Sequence, residues 1–230
     1  MIFDADTHLS PYKNFDRSID AARWMELIDA AGVDRALCWL LPQGVTDVSE
    51  SNHYLYENSK KYPKMLPFGW ANPREGLEKA RAEVRRCLEE YGFPGVKLNG
   101  AQNAYPIDSP AAMKLAEEIA GRGGIIAFHI GADAPVFTHP KRAEKVAKAF
   151  PATPVLMVHM GGAGRPDCSD LVINVAQENP NMILVGSAIE VGKVEKAIRS
   201  LGGKRVMFGS DLPFASLPEC LGNYQRILSS

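Results

Sequence analysis

MIFDADTH (residues 1–8) is a short apolar run that ends in two side chains of metal-ligand type, Asp6 and His8. The same construction returns three times. GGIIAFH (123–129) ends in His129, PVLMVH (154–159) in His159 and RVMFGSD (205–211) in Asp211. In a parallel barrel the C-terminal strand ends converge on one face, and that face carries the chemistry. Four runs that each finish on such a residue point to a barrel and to the place of its site.

Working outward, strand-like runs alternate with helical patterns along the whole chain. The runs are 2–8, 34–41, 65–71, 95–99, 124–129, 155–159, 182–186 and 205–210. They are continuously apolar rather than alternating, as expected of strands covered by helices. Between them, Leu77, Ala80, Val84, Cys87 and Tyr91 recur at intervals of three and four, the mark of one buried helix face. Ile19, Ala22, Met25 and Ile28 do the same, as do Val194, Ala197, Ile198 and Leu201. Ser109 before Pro110 reads as a helix cap, and Ser18 as the cap of the first helix. Eight βα repeats predict an α/β fold, a compact (β/α)8 TIM barrel, with residues 1–230 as a single domain.

The composition narrows the function. With 26 basic and 27 acidic residues the formal charge is −1, so no general field draws nucleic acid or an anionic membrane. Cys38, Cys87, Cys168 and Cys220 are scattered and form no C-x-x-C pair, which is cytosolic usage. Residues 1–10 lack the basic start and apolar stretch of a secretory signal, and no apolar run approaches the ~18 residues of a membrane span. The expected setting is the cytoplasm, and the expected partner a small-molecule substrate.

Asp6 and His8 are two apart, so they share one strand face. With His129 and Asp211 arriving at the same rim, the four predict a site for one divalent ion, zinc-like or manganese-like, with a position left open for water. His159 stands between them round the ring as a further ligand, a general acid/base or a group polarising substrate, and Asp211 can also handle protons. Singly, each residue has a plain structural reading: a hydrogen-bonded histidine, or an aspartate capping a turn. Jointly those readings must place a polar side chain at the same end of four strands, where unpaired burial costs a few kcal/mol. A shared ion explains all of them.

Four more residues are candidates for contact with substrate: Lys97 and Asn99 at the end of the fourth run (GFPGVKLNG, 92–100), Arg165 in the sixth loop and Trp70 at the end of the third. For Lys97 the alternatives include pairing with Asp6 or Asp211 and bridging two metals as a carbamate; for Trp70, simple packing. HMGGAGRPD (159–167) lacks both phosphate-loop patterns and reads as a tight turn passing close to the pocket. His53 and His139 read as surface or capping residues.

DADTH, GVKL, FHIG, LMVHMGG and FGSDLP, in that order from first strand to eighth, resemble the amidohydrolase superfamily. More narrowly they resemble its amidohydrolase-related branch of predicted metal-dependent hydrolases with a TIM-barrel fold. That branch also holds aromatic decarboxylases similar to aminocarboxymuconate semialdehyde decarboxylase. The resemblance implies Asp6, His8 and His129 as ligands, Asp211 as ligand or proton carrier, and His159 as catalytic. Where much of the superfamily has H-x-H, this chain has Asp6. The added carboxylate weakens zinc against manganese, though zinc stays first, and raises the decarboxylase reading. Residues 212–230 are fewer than relatives usually carry after the last aspartate, which implies a shortened C-terminal segment with one last helix near 218–228. The loop at 9–16 is too short for a lid-like insertion, so the pocket is expected to be open or completed by a second copy in a homodimer.

The leading expectation is hydrolysis of a small amide, lactone or ester by metal-activated water. The alternative is non-oxidative decarboxylation of a small aromatic or unsaturated acid, for which Arg165 or Lys97 should face the departing carboxylate. A third reading, from another class, is a non-catalytic barrel that binds a ligand or protein partner.

Overall fold

Strand β1 (Phe3–Leu9) starts the barrel in the computed structural model of the chain, which describes residues 1–12, 17–40 and 48–229. It pairs in parallel with β2 (Arg35–Leu40), and β2 with β3 (Met65–Pro67). A second parallel run follows in chain order: β4 (Gly69–Trp70), β5 (Gly95–Leu98), β6 (Ile125–His129), β7 (Val155–Val158), β8 (Met182–Gly186) and β9 (Val206–Phe208). All eight expected runs therefore form strand, and the fold is the predicted barrel. Leu41, the last residue of the second run, and 13–16 of the first loop lie outside the described residues.

The third run differs from expectation. It breaks at Phe68, where the ladder changes partner: β3 pairs only with β2, and β4 only with β5. The Phe68 N–H still donates to the Cys38 carbonyl at 2.8 Å, and its ring packs edge-on against Trp39 at 5.5 Å. The ladder is thus two sheets, of three and six strands, rather than one closed ring. At the other seam, between β9 and β1, hydrogen bonds come from the segment after β9. The His8 N–H donates to the Leu212 carbonyl at 2.7 Å and the Asp211 N–H to the Asp6 carbonyl at 2.8 Å.

The helices close the outside. α1 (Ala21–Ala30) is capped by Asp20, whose carboxylate accepts the Arg23 N–H, and not by Ser18; Asp20 is the residue that directly precedes the first turn. α2 (Val48–Ser59) precedes β3. α3 (Leu77–Arg85) runs on into a π-helical turn (Arg86–Glu90), and Ala80, Val84 and Cys87 of the expected stripe are buried. α4 (Gly100–Asn103) and α5 (Pro110–Ala120) follow β5, with Ser109 capping α5 as predicted. α6 (Pro135–Thr138) and α7 (Pro140–Ala149) follow β6, and His139 caps α7 through Nδ1. α8 (Ser169–Glu178) and α9 (Val191–Leu201) follow β7 and β8. α10 (Leu217–Ser229) lies over β8 and β9, and its Tyr224 hydroxyl donates to the Gly186 carbonyl at 2.7 Å. Gly186 is needed there, because a Cβ would run into that hydroxyl. No helix among the described residues is long and apolar enough to cross a membrane.

Candidate metal and catalytic site

The site begins with a bulge in β1. Its register against β2 slips between Asp4 and Thr7, leaving an extra residue on β1. Asp4 secures the bulge: Oδ1 accepts the N–H groups of Asp6 (3.1 Å) and, across the seam, Ser210 (2.9 Å). Beyond it the strand period holds. Thr7 faces outward, its hydroxyl donating to the Leu37 carbonyl and accepting the Trp24 indole N–H. Asp6 and His8 point together into the barrel mouth, His8 Nε2 being 3.4 Å from Asp6 Oδ1.

His8 Nε2 is also 3.4 Å from Asp211 Oδ1. Its Nδ1 contacts the Leu40 carbonyl at 3.2 Å, and a carbonyl can only accept, so Nδ1 carries the hydrogen and Nε2 presents its lone pair. Ligand atoms of Asp6, His159 and Asp211 all lie within 4.8 Å of one another. Two donors held about 2.1 Å from one ion at tetrahedral angles stand roughly 3.4 Å apart. The residues therefore fit a small divalent ion.

His129 sits differently from the reading that placed it among the ligands. Its Nε2 contacts Asp133 Oδ1 at 2.9 Å, and its ring meets His159 edge-on at 4.6 Å. Gly131 makes room for this pair, since a Cβ there would lie 2.6 Å from His129 Nε2. His159 occupies the tight donor group instead. Its backbone is left-handed (φ 67°), as are those of Met160 (40°), Ala163 (53°), Ala188 (48°) and Asp211 (60°). Five of the six such non-glycine residues described thus cluster at these strand ends, as is common where function dictates backbone shape.

Asp6 is held on both sides. Oδ1 accepts the Trp39 indole N–H at 2.8 Å and Oδ2 the Ser187 hydroxyl; Ser187 Oγ in turn lies 2.9 Å from His159 Nδ1. Gly209 permits this closeness, because a Cβ would stand 3.0 Å from that of Asp6 and 3.1 Å from that of Ser187. Burial alone would push the Asp6 carboxyl up, but the hydrogen bonds it accepts and the nearby Lys97 ammonium outweigh it and hold the group below the usual carboxylate range. Burial drives His159 down to about 4 against the pull of Asp211 and Asp6, leaving the imidazole neutral. For His8 burial also acts downward, but Asp211 and Asp6 prevail and raise it.

A cavity of about 160 Å³ opens over this group, walled by His8, His129, His159 and Asp211. Asn99, Gln102 and Phe214 complete it; Phe214 meets the His8 ring edge-on at 5.6 Å. Asn99 also caps α4. Lys97 faces inward but lies below the cavity, fully buried, its ammonium 3.9 Å from the Trp39 ring centroid and 5.6 Å from that of Trp70. Its Nζ has no hydrogen-bonding partner among the described residues, and burial lowers it to about 8 although Asp6 and Asp211 oppose the shift. Trp70 is a buried packing residue that donates to Asn103, not a cavity wall.

Arg165 does not reach the cavity. Its side chain is 83% exposed, pairs with Glu190 at 2.7 Å and lines a separate concavity with Gly164 and Ile189. The loop turns outward after the tight turn at Gly161 (φ 94°), which carries Arg165 away. His53 is exposed and contacts the Tyr91 hydroxyl, as its surface reading required. Sequence reasoning missed Trp39, Gln102, Asp133, Ser187 and Phe214. Of these, Ser187 carried a signal, since it directly follows β8 as His159 follows β7.

The profile of the amidohydrolase family matches residues 44–223. The chain is 24% identical over 212 residues to the 2-amino-3-carboxymuconate-6-semialdehyde decarboxylase of Dictyostelium discoideum, a match covering 76% of this chain. It spans 59% of the length of that curated relative. A 2,6-dihydroxybenzoate decarboxylase crystallised with 2,6-dihydroxybenzoate is similar in structure, with a TM-score of 0.76 at 17% identity, covering 98% of this chain and 92% of that one. A dihydroxybenzoic acid decarboxylase from Polaromonas sp. JS666, with bound manganese and 2-nitroresorcinol, gives 0.73 at 19% identity, covering 98% and 91%.

Proposed function

The chain belongs to the amidohydrolase family, and from that premise we propose that it is a metal-dependent decarboxylase releasing CO2, without oxidation, from a small aromatic or unsaturated carboxylic acid. What carries this reading over the hydrolysis expected first is the agreement of the relatives. The relative matched in sequence and the two structures compared above are each named as decarboxylases of an unsaturated or aromatic acid. The cavity supports it: at about 160 Å³ it is smaller than the ~300–1,000 Å³ pockets of drug-sized ligands and suits a single ring against Phe214.

Asp6, His8 and Asp211, with His129 or His159, would hold the ion. Manganese is preferred to the zinc first expected, because two of these donors are carboxylates and the Polaromonas relative holds manganese. A divalent ion there supplies a fixed positive charge for an acidic oxygen of the substrate. Asn99 and Gln102 offer amides to the substrate's polar edge, and Phe214 an apolar wall. His159 or Asp211 delivers a proton to the carbon that loses CO2, so that R–COO⁻ and H⁺ become R–H and CO2. Lys97 touches no substrate in this arrangement and acts through its field on Asp6 and Asp211.

The test is incubation of the manganese- and zinc-loaded protein with hydroxybenzoates and unsaturated diacids, following CO2 by a coupled assay. Lactones, amides and esters are followed in parallel. CO2 release from at least one acid is expected; hydrolysis with no CO2 from any acid would overturn the proposal.

A further inference from the structure

Ser187 directly follows β8, is buried, and touches both Asp6 and His159. A serine hydroxyl has a single hydrogen. The Asp6 carboxylate can only accept, so that hydrogen goes to Asp6 Oδ2, and Ser187 Oγ meets His159 Nδ1 at 2.9 Å as an acceptor. The hydrogen on the imidazole must then sit on Nδ1. We propose that Ser187 is a positioning residue that locks His159 as the Nδ1–H tautomer and leaves Nε2 as its working nitrogen in the cavity. This rests on the reading of His159 as a proton carrier only for its kinetic consequence, not for the tautomer.

The arrangement is built rather than incidental. Gly209 has no side chain where one would crowd Ser187 and Asp6, and the Trp39 indole fixes the other oxygen of the same carboxylate. The order imidazole N–H, hydroxyl, carboxylate has the logic of any catalytic histidine whose far nitrogen is tied to a carboxylate, with a hydroxyl interposed. Without the hydroxyl, Nδ1 of His159 still lies 3.5 Å from Asp6 Oδ2, too far for a good hydrogen bond, and the ring is free to change tautomer or turn.

The experiment is ¹⁵N NMR of imidazole-labelled, metal-free protein at neutral pH, with His159→Gln used to assign the resonance. The wild type should show Nδ1 protonated and Nε2 bare; Ser187→Ala should give mixed tautomers. A wild-type His159 protonated on Nε2, or a Ser187→Ala spectrum identical to wild type, would overturn the inference. On an acid that is turned over, with manganese saturating both proteins, Ser187→Ala should lower kcat about 10- to 100-fold with KM unchanged, and Ser187→Thr should restore much of it. Should Ser187→Ala not fold, Ser187→Cys, a poorer acceptor, should show the same spectral change. If no acid is turned over, the function fails while the spectrum still decides the tautomer.

Discussion

Trp39 donates its indole N–H to Asp6 Oδ1 at 2.8 Å from the neighbouring strand, where it stands in register with His8. The indole thereby aims one carboxylate oxygen while Ser187 aims the other. Trp39→Phe keeps an aromatic ring beside Lys97 but removes the indole N–H together with part of the buried ring. It should weaken manganese binding about tenfold and destabilise the protein by about 1–3 kcal/mol. Competition against a fluorescent chelator measures the first effect, urea denaturation the second. Unchanged affinity would reduce Trp39 to packing.

Lys97 gives an effect of the opposite sign. Its buried ammonium, without a hydrogen-bonding partner among the described residues, neutralises part of the charge of Asp6 and Asp211 and repels an incoming cation. Lys97→Met fills the same space between the tryptophans without charge. The metal-free variant should be destabilised by its two carboxylates, and manganese should raise its melting temperature by more than it raises that of the wild type. An equal or smaller shift would show that the Lys97 charge is not felt at the site.

What the sequence made legible follows from the strand period. Two-residue spacing put Asp6 and His8 on one face, and apolar runs ending in His or Asp marked the rim, so five site residues could be named without coordinates. Lys97 was visible as a strand residue, but which way it faced depended on register. Trp39, and the bond of Ser187 to Asp6, were hidden for a related reason: both contacts with Asp6 cross between strands, and such partners are not written in any one run. Arg165 misled because a charged residue in a glycine-rich loop looks available, whereas left-handed turns at 159–163 carry it outward to Glu190. Phe68 broke a continuous apolar run by a change of ladder partner, which hydrophobicity alone does not mark.

His129 poses a choice that metal content resolves. If its Nε2 leaves Asp133 to bind the ion, His129→Ala should fall well below one manganese per chain after dialysis, measured by plasma mass spectrometry. Retention of one ion per chain would assign the site to Asp6, His8, His159 and Asp211, with His129 held by Asp133 as in the structure.

Asp4 sets a pH dependence whose sign is unusual for a carboxyl. Burial raises it from 3.8 to about 7, in spite of the hydrogen bonds from Ser210 and Asp6, and its Oδ2 has no partner among the described residues. The folded state therefore keeps a proton that the unfolded chain releases near pH 4. Between about pH 4 and 7 the folded protein binds more protons, so this group's contribution falls as pH rises and is flat above about 8. A shift of about three units corresponds to roughly 4 kcal/mol at most. Asp4→Asn keeps Oδ1 for the two backbone N–H groups and cannot ionise. In urea denaturation of the metal-free protein, the stability of Asp4→Asn relative to wild type should climb from pH 4 to 7 and then level. A difference independent of pH would mean that Asp4 is ionised in the barrel wall, and that the seam between β1 and β9 is held by a charge.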